Sequence, residues 1–212
     1  LSMPFAIVFH IAAALNIFYG WHEKDWKQHT SAFTYAGAAI TALHAGDFLT
    51  LFLFWEFTVL TSVFLILASN NNRATSSAIR YLVMQFTSGA LLIVGAAYYI
   101  SVTGNSELTL LSLDNPGAWF IFLSFGIKAA FPLLNGWLQD AYPEATVIGT
   151  VALSAYTTKL AIYALARTFA GTEYLIYIGV IMTAFPVFFA VIENDLRRVL
   201  SYSLNNQLGF MV

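Results

Sequence analysis

The 212-residue sequence has no cysteine, which excludes disulfides, thiolate-held iron–sulfur clusters and covalently attached c-type haem. Charge is scarce too: 9% of residues are Asp, Glu, Lys or Arg, against about a quarter in soluble domains. A net charge of −2, with no basic run interleaved with aromatics, offers nothing to nucleic acid. There is no phosphate-binding glycine loop, nucleophile elbow or paired-carboxylate hydrolase pattern, so an intramembrane enzyme would lack a mechanism. The histidines His10, His22, His29 and His44 show no metal-ligand spacing, and neither a metal nor a cofactor is expected. No internal repeat or low-complexity segment is visible.

What is there is apolar. Hydrophobic residues make up 59% of the chain and the mean hydropathy is +0.72, which places it in a bilayer. At about 20 apolar residues per crossing, the runs divide into spans near 3–20, 31–45, 48–68, 76–100, 118–140, 148–167, 173–193 and 199–212. These runs are twice the length of a barrel strand and do not alternate, so helices are expected throughout one transmembrane domain. The first run lacks the positive leader and cleavage site of a signal peptide and reads as a span. The chain begins with Leu1 and stops at Met211-Val212 inside an apolar segment, as a piece of a longer protein would. Trp21, Trp26, Trp119 and Trp137 fall near proposed helix ends, as interfacial belts require.

Charge position sets the orientation. With the first connection in the cytoplasm, Lys24, Lys27, Arg73, Arg80, Arg197 and Arg198 lie inside and Arg167 alone lies outside, in keeping with the positive-inside rule. Lys128 and Lys159 fall within spans.

Glu56, Lys128 and Lys159 each sit roughly 12–17 Å along their helices in a core about 30 Å thick. A charge at that depth costs about 2.5–3.5 kcal/mol on insertion scales and must face protein, so three of them on separate helices suggest a path for protons or cations. A carboxylate beside an ammonium keeps both charged, whereas burial favours the neutral forms, so small displacements can move a proton. The alternative is a buried ion pair that only fixes helix packing.

Pro132 cannot donate to the carbonyl of Lys128, and Gly136 follows, so Gly126–Gly136 reads as a discontinuous helix. Pro186 lacks an ionisable companion and is assigned to packing. Ser154, Thr157 and Thr158 precede Lys159 and are candidates to hold water around it. His44, near the outer surface, is a candidate relay at an entrance or a plain interfacial histidine.

Three segments carry a resemblance: Ala45-Gly-Asp-Phe-Leu-Thr-Leu-Phe-Leu-Phe-Trp-Glu56, Lys128-Ala-Ala-Phe-Pro132 with Trp137-Leu-Gln-Asp140, and Asp195-Leu-Arg-Arg-Val-Leu-Ser-Tyr-Ser203 with Gln207-Leu-Gly209. The chain resembles the antiporter-like proton-channel subunits. These comprise the membrane-arm subunits of respiratory complex I and the large subunits of multisubunit sodium/proton (Mrp) antiporters, and the likeness is strongest to the Mrp D type. The resemblance implies an all-α polytopic bundle broken around Lys128–Pro132, part of a subunit of about 14 helices, in the bacterial inner membrane. It implies that Glu56 partners Lys128 and that Lys159 passes the proton onward. It also implies a further charged residue beyond Val212, other membrane subunits as partners, and protons, with Na+ in the antiporter branch, as cargo. Gln139 stands where the family often has proline, and Pro143-Glu144-Ala-Thr replaces a more proline-rich connection of many complex I members, which leans toward the antiporter branch. The alternatives are a proton-pumping subunit of NADH:quinone oxidoreductase or a related membrane-bound hydrogenase, and a scaffold whose buried charges only fix assembly.

Overall fold

The computed structural model describes residues 1–212 as nine helices and no strand. These are α1 (Ser2–Gly20), α2 (Trp26–Leu43), α3 (Phe48–Leu67), α4 (Asn72–Thr103), α5 (Ala118–Lys128), α6 (Gly136–Glu144), α7 (Val147–Thr168), α8 (Glu173–Ile192) and α9 (Leu196–Met211). Five of them, α1, α3, α4, α7 and α8, are long and apolar enough to cross a membrane. The helix starts are encoded locally. Asp25, Asp47, Asn71, Thr146 and Asp195 each accept a backbone N–H of the first turn through the side chain, as N-cap residues do. The 32-residue α4 stops at Gly104, whose φ of +70° suits a left-handed C-terminal residue.

Connections alternate between two faces of the bundle. On one face the Thr146 hydroxyl donates to Gln28 Oε1 at 2.9 Å, the Ser69 hydroxyl donates to the Glu144 carbonyl, and Arg197 Nη2 donates to Ala145 O at 2.6 Å. On the other, Arg167 Nη1 donates to Ala45 O at 2.8 Å, Leu111 N donates to Thr168 O at 2.6 Å, and Asp47 pairs with Glu107 in an isolated bridge. The six basic residues assigned to the cytoplasm, Lys24 in a connection and the others early in α2, α4 and α9, therefore lie toward one end of the bundle, opposite Arg167.

α7 forms the axis. Two thirds (67%) of its apolar window is buried, against 22% for α1 and α8, which turn broad apolar faces outward. Around α7 stand α1, α2, α3, α5, α6 and α9, while α8 packs chiefly against α9. The α8–α9 pair closes on glycine: a Cβ on Gly209 would overlap the Thr183 side chain, and one on Gly179 would come within 2.8 Å of Gly209 O. Small residues that let backbones approach are the usual means of helix association where lipid is as apolar as the interface.

Candidate functional site

The expected break is present, and its geometry follows from the chain around Lys128. α5 ends at Lys128 in a Schellman motif: Phe131 N donates to Gly126 O at 2.9 Å and Ala130 N to Ile127 O at 3.1 Å. The Phe131 ring lies on Gly126, where any Cβ would strike it. Ala130 takes the left-handed position, φ +61°, which glycine usually fills, and Leu133 follows at +70°. Such backbone costs roughly 1–2 kcal/mol per non-glycine residue. Pro132 bars the helix from continuing, and Gly136 opens α6. From α6 the Trp137 indole reaches back to donate to Ile127 O at 2.9 Å, capping one of the carbonyls that the break frees.

The break delivers Lys128 into the core. Its side chain is wholly buried, and Nζ donates to Trp55 O at 2.9 Å and to Thr58 Oγ1 at 3.0 Å. It also lies 4.1 Å from the centroid of a Trp55 ring. Backbone carbonyl, hydroxyl and aromatic face together hold an ammonium without a carboxylate in contact. Thr58 in turn donates to Trp55 O at 2.6 Å, so that one carbonyl gathers both groups.

Glu56 sits half-buried one residue beyond Trp55, but its carboxylate turns to α4 rather than onto the lysine. It occupies the space over Gly89, where a Cβ would overlap Oε1, and buried Oε1 has no hydrogen-bond partner in the protein. The direct pairing implied by the resemblance is thus absent: the only ion pairs are Arg80–Asp140 and Arg198–Glu193. Two oxygens of α3 already hold the ammonium, and Gly89 offers the carboxylate a niche of its own. The charges remain within electrostatic range of each other. Neighbouring polar groups lock the α3–α4–α5 contact: Trp55 Nε1 donates to Ser88 Oγ at 3.1 Å, and Ser88 Oγ donates to Ser124 O at 2.8 Å.

Lys159, part-buried on α7, curls back so that Nζ donates to Ser154 O at 2.8 Å. Ser154 therefore serves it through the backbone, its hydroxyl donating to Val151 O at 2.8 Å. Thr157 is hydrogen-bonded to the Tyr35 hydroxyl, and Thr158 is buried with an unpartnered hydroxyl. Ser154 also lines a cavity of about 520 Å³ between α6, α7 and α9, with Tyr142, Thr150, Arg197 and Gln207 among its other walls. His44 stands apart, exposed at the end of α2 with Nδ1 donating to Ile40 O at 2.8 Å.

The sequence reading missed Thr58, the Trp55 carbonyl and Gly89. A glycine in the middle of a long helix was the one available signal for the last. Nothing local distinguished Thr58 from the many other hydroxyls in these spans.

Residues 45–212 match the family described as "NADH:quinone oxidoreductase/Mrp antiporter, TM". The chain belongs to that family. The D-type subunit of the Na(+)/H(+) antiporter of Alkalihalophilus pseudofirmus is 31% identical over 193 residues, covering 81% of this chain and 38% of that protein. The M-type subunit of the NADH-quinone oxidoreductase of Escherichia coli is 24% identical over 242 residues, covering 100% of this chain and 48% of that protein. The chain shares its fold with a component of the Mrp complex from Dietzia sp. DQ12-45-1b, at a TM-score of 0.82 and 22% identity, over 97% of this chain and 43% of that one. It spans less than half the length of these relatives. Within the NADH:quinone oxidoreductase/Mrp antiporter family, then, this is a membrane-embedded, multi-pass member. All three segments that carry the resemblance, and all three intramembrane charges, fall inside the matched region.

Proposed function

We propose that this chain carries protons across the membrane as part of a multisubunit cation/proton antiporter, along Glu56, Lys128 and Lys159. The observation that carries the reading is the wholly buried Lys128 ammonium, held on a broken helix by Trp55 O and Thr58 with no carboxylate touching it. An ion pair built only for packing would be closed. Here the carboxylate stands off in a glycine niche, so its movement toward or away from Lys128 changes how firmly the ammonium holds its proton. Lys159, with its amine beside a cavity wall, is the next acceptor.

Lipid faces the apolar surfaces of α1 and α8, and other membrane subunits complete the assembly, in a bacterial inner membrane. Protons are the cargo of this segment, and exchanged Na+ belongs to the assembly as a whole. The match to an NADH-quinone oxidoreductase subunit along the whole of this chain supports a second reading, in which electron transfer elsewhere drives the same path.

The test is proton flux through the native complex in vesicles. Lys128→Ala and Glu56→Gln are each expected to abolish or sharply reduce flux at unchanged assembly; wild-type flux in both would make this subunit structural. Flux driven by a Na+ gradient supports the antiporter, and flux driven only by NADH oxidation supports the second reading.

A further inference from the structure

At the end of the bundle that carries the basic residues, α4, α6 and α9 enclose a cavity of about 370 Å³ with no hydrophobic residue in its wall. That is many times the roughly 10–15 Å³ that one water needs. The three helices are tied together around it. The Ser69 hydroxyl holds Glu144 through its carbonyl, and Arg197 joins α9 to Ala145 at the end of α6. Within the cavity Arg80 links α4 to α6: Nε donates to Asp140 Oδ2 at 2.8 Å, and Nη1 and Nη2 donate to the Ser76 and Ser77 hydroxyls at 2.9 and 3.1 Å.

Two charges of this cavity remain over. Arg73 and Glu144 both line it, yet neither takes part in an ion pair, with the other or with any neighbour. Arg198, in the same wall, meets only Glu193, at 4.0 Å. A plain anion would be repelled by Glu144, and a plain cation would face three guanidinium groups. A ligand that carries both signs suits the cavity. Its depth narrows the choice. The 32 residues of α4 span about 48 Å, against a hydrocarbon core of about 30 Å, so the first turns stand in the headgroup layer. Deeper along the same face of α4, Ile79, Val83 and Phe86 follow Ser76 and are all exposed. A two-signed head site above an apolar track fits a phospholipid.

We infer that this cavity holds the head of a zwitterionic phospholipid that joins a phosphodiester to a primary ammonium, as phosphatidylethanolamine does. The guanidinium groups of Arg73 and Arg198 take the phosphate oxygens, the Glu144 carboxylate takes the ammonium, and an acyl chain lies along Ile79, Val83 and Phe86. Guanidinium suits phosphate because its paired N–H groups meet two oxygens at once. A primary ammonium has three N–H groups to donate to a carboxylate, whereas a choline head has none. A glycerol head brings no cation for Glu144. A lipid seated there bridges α4, α6 and α9 beside the broken helix and stands apart from the proton path.

The experiment places the native complex in vesicles that contain a trace of phospholipid with a photoactivatable diazirine on its acyl chain. After illumination, peptide mass spectrometry maps the labelled residues. Three probes with the same acyl chain are compared, bearing ethanolamine, glycerol or choline heads. The ethanolamine probe is expected to label residues 79–86 at least about fivefold more than either of the others, for the gain of a charged hydrogen bond. In Glu144→Gln its labelling should fall to that of the glycerol probe, whose own labelling holds or rises. In Arg73→Ala both should fall. Equal labelling by all three probes in the wild type marks ordinary annular lipid and overturns the site. A preference for the glycerol probe marks a site for acidic lipid and overturns the zwitterionic assignment. No labelling of residues 79–86 by any probe means that another protein covers this face, which overturns the proposal as well. So does an ethanolamine preference that survives both substitutions. Assembly is verified for each variant, and if one does not assemble the other decides.

Discussion

Gly89→Ala separates folding from function at one atom. Gly89 lies inside α4, where replacing glycine by alanine gains about 0.5–1 kcal/mol of helix stability. The new Cβ would fall within the envelope of Glu56 Oε1, the free end of a flexible side chain, so the carboxylate retreats and the backbone stays. Restoring an ordinary contact needs a shift of roughly 2 Å. For two opposite charges about 5–7 Å apart, a shift of that size changes their interaction by about 1 kcal/mol at an effective dielectric constant near 20. That is about fivefold in the proton equilibrium of the lysine. The expected outcome is an unfolding midpoint unchanged or raised by about 2–4 °C, with proton flux reduced about fivefold. Gly95→Ala on the same helix is the control. Its Cβ would meet Gly117 O at 2.8 Å, a backbone atom, and overpacking of that kind costs about 1–3 kcal/mol. It should lower the midpoint. Wild-type flux in a fully assembled Gly89→Ala protein would refute the claim that the position of Glu56 governs transfer.

Thr58→Val keeps the shape of the side chain but removes one of the two oxygens that hold Lys128; flux is expected to fall with assembly retained, and unchanged flux would show that Trp55 O suffices. Trp137→Phe removes the indole donor to Ile127 O, which keeps its bond from Ala130 N, and thermal unfolding should report a loss of about 0.5–1.5 kcal/mol. At the N-terminal end of α3, hydrogen bonds from the Thr50 backbone N–H and hydroxyl hold the Asp47 carboxyl below its ordinary value of 3.8. A depressed pKa means that the cap stabilises the fold above that ordinary value and is lost as pH falls through the lowered one. Asp47→Ala should therefore cost about 1 kcal/mol near neutral pH, and the difference from wild type should shrink as titration proceeds below 3.8.

The all-helical fold and the break were legible because each depends on a short stretch of chain; the helix caps are as local, though the sequence reading did not name them. Hydrocarbon thickness sets how long an apolar run must be, Asp47 and Thr146 cap within three residues, and Pro132 withholds a donor from its own helix. The presence of Glu56, Lys128 and Lys159 in the interior was legible for a related reason, since lipid does not tolerate them. What each charge touches was not. Lys128 meets residues 70 and 73 positions away in sequence, and Glu56 rests on a glycine of the next helix. Those contacts depend on how each helix is rotated about its axis, and hydropathy cannot report the rotation when lipid on one side and protein on the other are equally apolar. The sequence by itself determined that charges are buried here and that a helix breaks beside one of them; only the tertiary structure decided that the ammonium rests on a carbonyl and a hydroxyl while the carboxylate waits in a glycine niche, because side-chain partners are chosen by helix packing and not by helix length.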